Sequence, residues 1–148
     1  MALKHLVGRW YILESTLNFW KNPNIIDPEI TFTIAPGKFI NETHYLENGK
    51  SKSVKAYDFF LDKSKLEFLY QMKGWKFMVK SKWRVECFAE DKSWAVVSFD
   101  KTIISRAGIQ IISRTKDLNP VVLEHIHSKI SDLGYLKGYI SRLHSTNR

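Results

Sequence analysis

Cys87 is the only thiol in a chain of 148 residues, and His5, His44, His125, His127 and His144 are its five imidazoles. A cysteine attacks as its thiolate, which needs a base or cation beside it. The sequence sets no such partner next to Cys87. The histidines have no metal-ligand spacing either, because His125 and His127 stand two apart in a segment of helical period and point to different faces. No Ser-His-Asp arrangement, phosphate-binding glycine loop or paired-carboxylate signature is present. The expectation is therefore a protein with no cofactor, no metal site and no catalytic residue, although a chain without motifs can still catalyse. Reaction at Cys87 stays open as an alternative, since strand parity turns that thiol toward the same side as Val85.

The elements that carry these residues follow from pattern. Asn22-Pro23-Asn24, Pro36-Gly37, Asn48-Gly49, Asp62-Lys63-Ser64, Lys73-Gly74, Asp91-Lys92 and Gly108 are turn signals that divide residues 10–114 into eight candidate strands. Asn48-Gly49 is the best hairpin, because a type I′ turn needs positive φ at both central residues. Between the turns the residues alternate. Ile30, Phe32 and Ile34 oppose Glu29, Thr31 and Thr33, and Leu66, Phe68 and Tyr70 oppose Lys65, Glu67 and Gln71. From Trp75 to Phe88 the odd positions Trp75, Phe77, Val79, Trp83, Val85 and Cys87 face Lys76, Lys80, Lys82, Arg84 and Glu86. Successive one-faced strands predict an antiparallel meander.

The period changes once. Asn119-Pro120 forms a cap and first helical position, and Leu123, Ile126, Ile130 and Leu133 follow at three- and four-residue steps. That spacing predicts one helix over about 120–133, ended by a left-handed Gly134, and a tail from 135 to 148 with a short strand between Tyr135 and Leu143. The chain reads as a single domain, with a barrel over about 9–114. A composition of 44% hydrophobic residues, with 5 Trp, 6 Tyr and 9 Phe against 7 Gly and 4 Pro, excludes disorder and fits a β-barrel with an aromatic interior.

The sequence resembles the lipocalin family at Gly8-Arg9-Trp10-Tyr11 on the first strand and at Ile112-Ser113-Arg114-Thr115 at the end of the eighth, and is most similar to its bacterial outer-membrane type. The resemblance implies an eight-stranded antiparallel up-and-down barrel, the calyx, with one C-terminal helix. It also implies that Gly8, Trp10 and Arg114 are structural, with Arg114 packed across the Trp10 indole at the barrel floor. The family's turn before the seventh strand is present only as Glu90-Asp91-Lys92-Ser93-Trp94, and the stretch from Asp100 to Gly108 is longer than a tight hairpin. Periplasm or outer membrane is the implied location if a signal sequence was removed, and cytoplasm otherwise.

A barrel of eight strands is just wide enough to be filled by side chains or to hold one small ligand. Phe32, Ile34, Phe68, Trp75, Phe77, Val79 and Trp83 are the candidate lining, for a fatty acid, lysophospholipid or similar hydrophobic or amphiphilic molecule carried without chemical change. The alternative is a filled barrel acting through its exterior. That exterior is basic: 23 Lys and Arg against 15 Asp and Glu give a net charge of +8. Its ridge of Lys76, Lys80, Lys82 and Arg84 has no interleaved aromatic residues, so a nucleic-acid partner is not expected and an anionic membrane surface fits better. A monomer or weak dimer is the expected state.

Overall fold

The computed structural model describes residues 2–74 and 79–146. Eight strands form the barrel: β1 (Gly8–Ser15), β2 (Ile25–Ala35), β3 (Lys38–Glu47), β4 (Lys50–Asp62), β5 (Glu67–Met72), β6 (Lys80–Phe88), β7 (Trp94–Phe99) and β8 (Gly108–Ser113). Each pairs antiparallel with the next, and β1 closes the cylinder by pairing with both β2 and β8. Helix α1 (Pro120–Asp132), a 3-10 segment at Lys137–Arg142 and a two-residue strand β9 (His144–Ser145) follow. β9 sits on Glu14 and Ser15, along the β1 edge that β2 has left beyond Tyr11. The chain end thus seals the barrel where its first two strands part.

The turn chemistry acts as its residues dictate. Asn48 and Gly49 both have positive φ, 53° and 78°, as a type I′ hairpin requires. Pro36-Gly37 joins β2 to β3 with Gly37 at φ 74°. These meander connections alternate between ends, so the β1–β2, β3–β4, β5–β6 and β7–β8 links share one end, the mouth, and the other turns share the floor.

Two packed layers explain where simple alternation fails. The barrel interior holds Trp10, Phe32, Phe39, Phe68, Val85, Phe88 and Val97. A second core lies outside the wall, where Trp94, Val96, Ile109 and Ile111 meet Ile126 and Ile130 of α1. β7 and β8 are therefore buried on both faces over much of their length. The helix stripe is as expected, with Leu123 and Leu133 flanking the two isoleucines, and the Asn119 side chain accepts from the Val121 N–H at 2.8 Å.

Several local expectations are corrected. Gly134 is not left-handed; the helix ends at Leu133, whose N–H reaches the carbonyls of Lys129 and Ile130. The stretch expected to hold a short last strand folds instead as the 3-10 segment, and the strand comes later, at His144. Leu66 lies before β5 with φ 52°. A bulge between Val85 and Cys87 breaks the parity of β6: Val85 and Phe88 face the interior, while Cys87 packs against the outer core beneath α1. One extra residue moves every later side chain to the opposite face.

Candidate functional site

The barrel is built in three tiers, and the lowest is a floor. The Trp10 indole is completely buried, and its N–H donates to the Leu6 carbonyl at 2.8 Å. The Arg114 guanidinium carbon lies 3.8 Å from the centre of that indole. Its nitrogens donate to the carbonyls of Arg9, His5 and Val7 at 2.8–2.9 Å. Gly8 sits at φ +105°, and a Cβ there would stand 3.2 Å from an Arg114 nitrogen. The Glu90–Trp94 turn feeds the same floor: the Asp91 carboxylate accepts from the Ser93 N–H and hydroxyl, and the Ser93 carbonyl accepts the Arg114 N–H at 2.8 Å.

The middle tier is a ring stack. Trp83 lies nearly parallel to Phe68 at 4.4 Å and to Phe32 at 5.7 Å, and Phe39 packs against both phenylalanines. Phe32 and Phe68 are 3% and 0% exposed, so they are packed core and a water-sized molecule scarcely touches them. Trp83 is held by an acid inside the barrel. Its indole N–H donates to Asp58 Oδ1 at 2.9 Å, and Asn41 Nδ2 donates to Asp58 Oδ2 at 2.8 Å. Burial raises the Asp58 pKa to about 7, against the lowering effect of those two donors. The Tyr70 phenol is raised too, by its partial burial and by the nearby Asp58 charge.

The upper tier is the mouth. Tyr70 and Ser81 stand in the cross-strand row of Asp58, and Met72 in that of Ala56 and Asn41, so the three share the interior face. They are only half-buried, as is Tyr45. The link from β1 to β2 folds over this opening. Trp20, 6% exposed, donates its indole N–H to Gln110 Oε1 at 3.2 Å, an oxygen that also accepts from the Ser15 hydroxyl at 2.9 Å. Phe19, Trp20 and Tyr45 meet edge to face with centroids 4.9–5.5 Å apart. The result is an aromatic lid on a barrel whose floor is shut.

Of the expected lining, Phe32, Phe68 and Trp83 come together, but as the stack below the mouth. Val79 lies at the rim, half-buried, where its carbonyl accepts the Met72 N–H at 3.3 Å. Ile34 has interior parity yet is 55% exposed, because it ends β2 beside the Pro36-Gly37 turn at the floor end. Trp75, Lys76 and Phe77 lie outside the described residues. Lys80, Lys82 and Arg84 form the solvated face expected, with Arg84 paired to Glu86 and Glu67. The Cys87 thiol is pushed up mainly by burial, with Lys129 opposing and Glu86 reinforcing. It lies outside the barrel, which corrects the expectation of an inward thiol. Asp58, Asn41, Trp20 and Gln110 were not anticipated. The signal for the first two was a polar residue at apolar parity, between Phe39 and the mouth on β3 and between Ala56 and Phe60 on β4.

No protein-family model matches the sequence, and no curated protein does. Solved structures do. The siderocalin Ex-FABP, described as functioning through dual ligand specificities, superposes with a TM-score of 0.66 over 97% of this chain and 95% of its own at 12% identity. Apocrustacyanin C2 gives a TM-score of 0.69 over 97% of this chain and 78% of its own at 11% identity. Lobster apocrustacyanin A1 gives 0.68 over 99% and 79% at 11% identity. At such identities the likeness concerns architecture. A closed eight-stranded antiparallel barrel with one C-terminal helix gives this chain the lipocalin fold.

Proposed function

We propose that the protein binds one small hydrophobic or amphiphilic molecule, of the fatty-acid or lysophospholipid class, in the mouth of its barrel and releases it unchanged. One observation carries this reading: Trp10, Phe32, Phe39 and Phe68 are sealed at and below the level of Trp83, whereas Tyr45, Tyr70, Met72 and Val79 above it keep partial exposure. Apolar surface left partly exposed beneath the Trp20 lid at one end of a closed barrel is what a hydrophobic tail displaces water from. Its structural neighbours share the architecture, and one of them, the siderocalin Ex-FABP, functions through dual ligand specificities. The tail lies over Trp83 and Tyr70. An acidic or zwitterionic head stays at the rim, toward exposed Lys50 and Lys73 and away from Asp58.

Titration of tryptophan fluorescence with fatty acids of increasing length tests this, with alkyl-ammonium ions of matched length for comparison. Affinity is expected to rise by up to about 0.8 kcal/mol per buried CH₂ until the mouth is full, with modest salt dependence. No dependence on chain length, or tighter binding of the cations, defeats it. A second reading, a filled barrel acting through its basic exterior, draws on the sealed Phe32 and Phe68. It is favoured if freshly purified protein carries no lipid in native mass spectrometry and no chain length binds.

A further inference from the structure

The β7–β8 link presents a feature that the barrel interior does not use. Ile103 and Ile104 are 80% and 72% exposed, and they are adjacent in a turn that is firmly built. The Thr102 N–H donates to the Ser105 carbonyl at 2.8 Å. The Thr102 hydroxyl oxygen accepts from the Ile104 and Ser105 N–H groups at 3.1 and 3.0 Å. The base of the link is tied to β6, where the Ser81 hydroxyl donates to the Asp100 carbonyl at 2.9 Å. The two isoleucines are therefore held outward by an ordered turn, adjacent and both more exposed than the single exposed apolar side chains elsewhere on the surface, and they forgo the burial that stabilises the core.

Their surroundings identify an occupant. Lys101 and Arg106 flank the pair and are exposed. The β3–β4 and β5–β6 links at the same end carry exposed Lys50 and Lys73, and the β1–β2 link carries Phe19, 49% exposed. Apolar side chains at a tip, with Lys101, Arg106, Lys50 and Lys73 outnumbering the exposed Asp100 at its base on a protein of net charge +8, complement a bilayer interface with anionic headgroups: the tip enters the acyl boundary and the cations stay with the phosphates. A second copy of the chain fits poorly, because joining two such tips would bring Lys101 and Arg106 against their own counterparts.

We propose that the mouth end docks on anionic membranes, with Ile103 and Ile104 as the inserting tip and Lys101 and Arg106 as the headgroup contacts. Docking stands on the surface alone and needs no ligand in the barrel. It turns the mouth toward the bilayer.

The test is flotation of the full chain with vesicles of phosphatidylcholine alone or mixed with phosphatidylglycerol. Wild-type protein is expected to float with the mixed vesicles and to detach as salt rises. Ile103→Ser/Ile104→Ser is expected to lower the bound fraction on the order of ten-fold, and Lys101→Glu/Arg106→Glu to remove the preference for phosphatidylglycerol. Lys63→Glu, in the β4–β5 turn at the opposite end, is expected to float like wild type. Circular dichroism melts confirm that each variant is folded. Wild-type protein that floats with neither vesicle overturns the proposal, as does a serine double variant that floats equally well. A concentration-dependent dimer that the serine variant abolishes, without flotation, overturns it in favour of a second copy.

Discussion

Arg114 and Trp10 meet at 3.8 Å from guanidinium carbon to indole centre, while the same guanidinium closes three backbone carbonyls of the N-terminal segment. One side chain thus joins the end of β8 to the entrance of β1. Arg114→Ala is expected to lower stability by roughly 1 to 3 kcal/mol, because a cation–π contact and several charged hydrogen bonds go together. Thermal or denaturant unfolding measures it. An unchanged midpoint would show that the floor does not depend on this pair.

Gly8→Ala strikes the same contact from the backbone. At φ +105° an alanine is strained, and its Cβ would crowd the Arg114 nitrogen at 3.2 Å. The expected loss is roughly 1 to 3 kcal/mol. In the Arg114→Ala background the crowding disappears while the strain remains, so the double variant should lose less than the sum of the two changes. Exact additivity in the unfolding midpoints would refute the coupling.

Asp58 makes stability depend on pH in an unusual direction. Its pKa rises on folding from an ordinary 3.8 to about 7, so the folded state favours the protonated acid. That contribution is full below about pH 4 and is lost as pH climbs through 7, by roughly 4 kcal/mol in all. Asp58→Asn removes the charge, with its oxygen accepting from Trp83 and the Asn41 amide turned so that its own oxygen accepts the new N–H. Its melting temperature should therefore exceed that of wild type at pH 8, and the gap should narrow toward pH 5. A gap that widens on acidification reverses the sign and sinks the assignment.

Trp20 covers the mouth and is tied to the wall by its hydrogen bond to Gln110. Trp20→Phe keeps a ring against Tyr45 and Phe19 but loses the hydrogen bond to Gln110, a loss of about 1 kcal/mol to the closed lid. If closure controls exchange, stopped-flow ligand release should speed up severalfold while the global unfolding midpoint moves little. Equal release rates in variant and wild type would mean that ligand escapes by a path that does not involve Trp20.

Cys87 should behave as an inert thiol. Burial holds its pKa above the ordinary value, and its place under α1 is outside the barrel. Reaction with a disulfide reagent at pH 8 should be much slower than for a free thiol, and Cys87→Ser should bind ligand as wild type does. Rapid labelling of the folded protein would return the thiol to consideration as a nucleophile.

The sequence by itself determined what depends on neighbours along the chain. Asn48-Gly49 could take two positive φ values, Asn119-Pro120 could start one helix, and the change from a two-residue to a helical period separated barrel from helix. The Trp10–Arg114 floor was legible through resemblance, with 103 residues between the partners. What the tertiary structure decided was which face each residue sees. A single bulge at Val85–Cys87 put Phe88 inside and Cys87 outside. Shared parity could not separate Phe68 at 0% exposure from Ile34 at 55%, because depth along a barrel is set by strand stagger across several neighbours. The acid within the stack and the tryptophan over the mouth were likewise decided in space: Asp58 meets Asn41 and Trp83, and Trp20 meets Gln110, only once the sheet has closed. Alternation records which side of a strand is apolar, and closure of the cylinder determines what each apolar side touches.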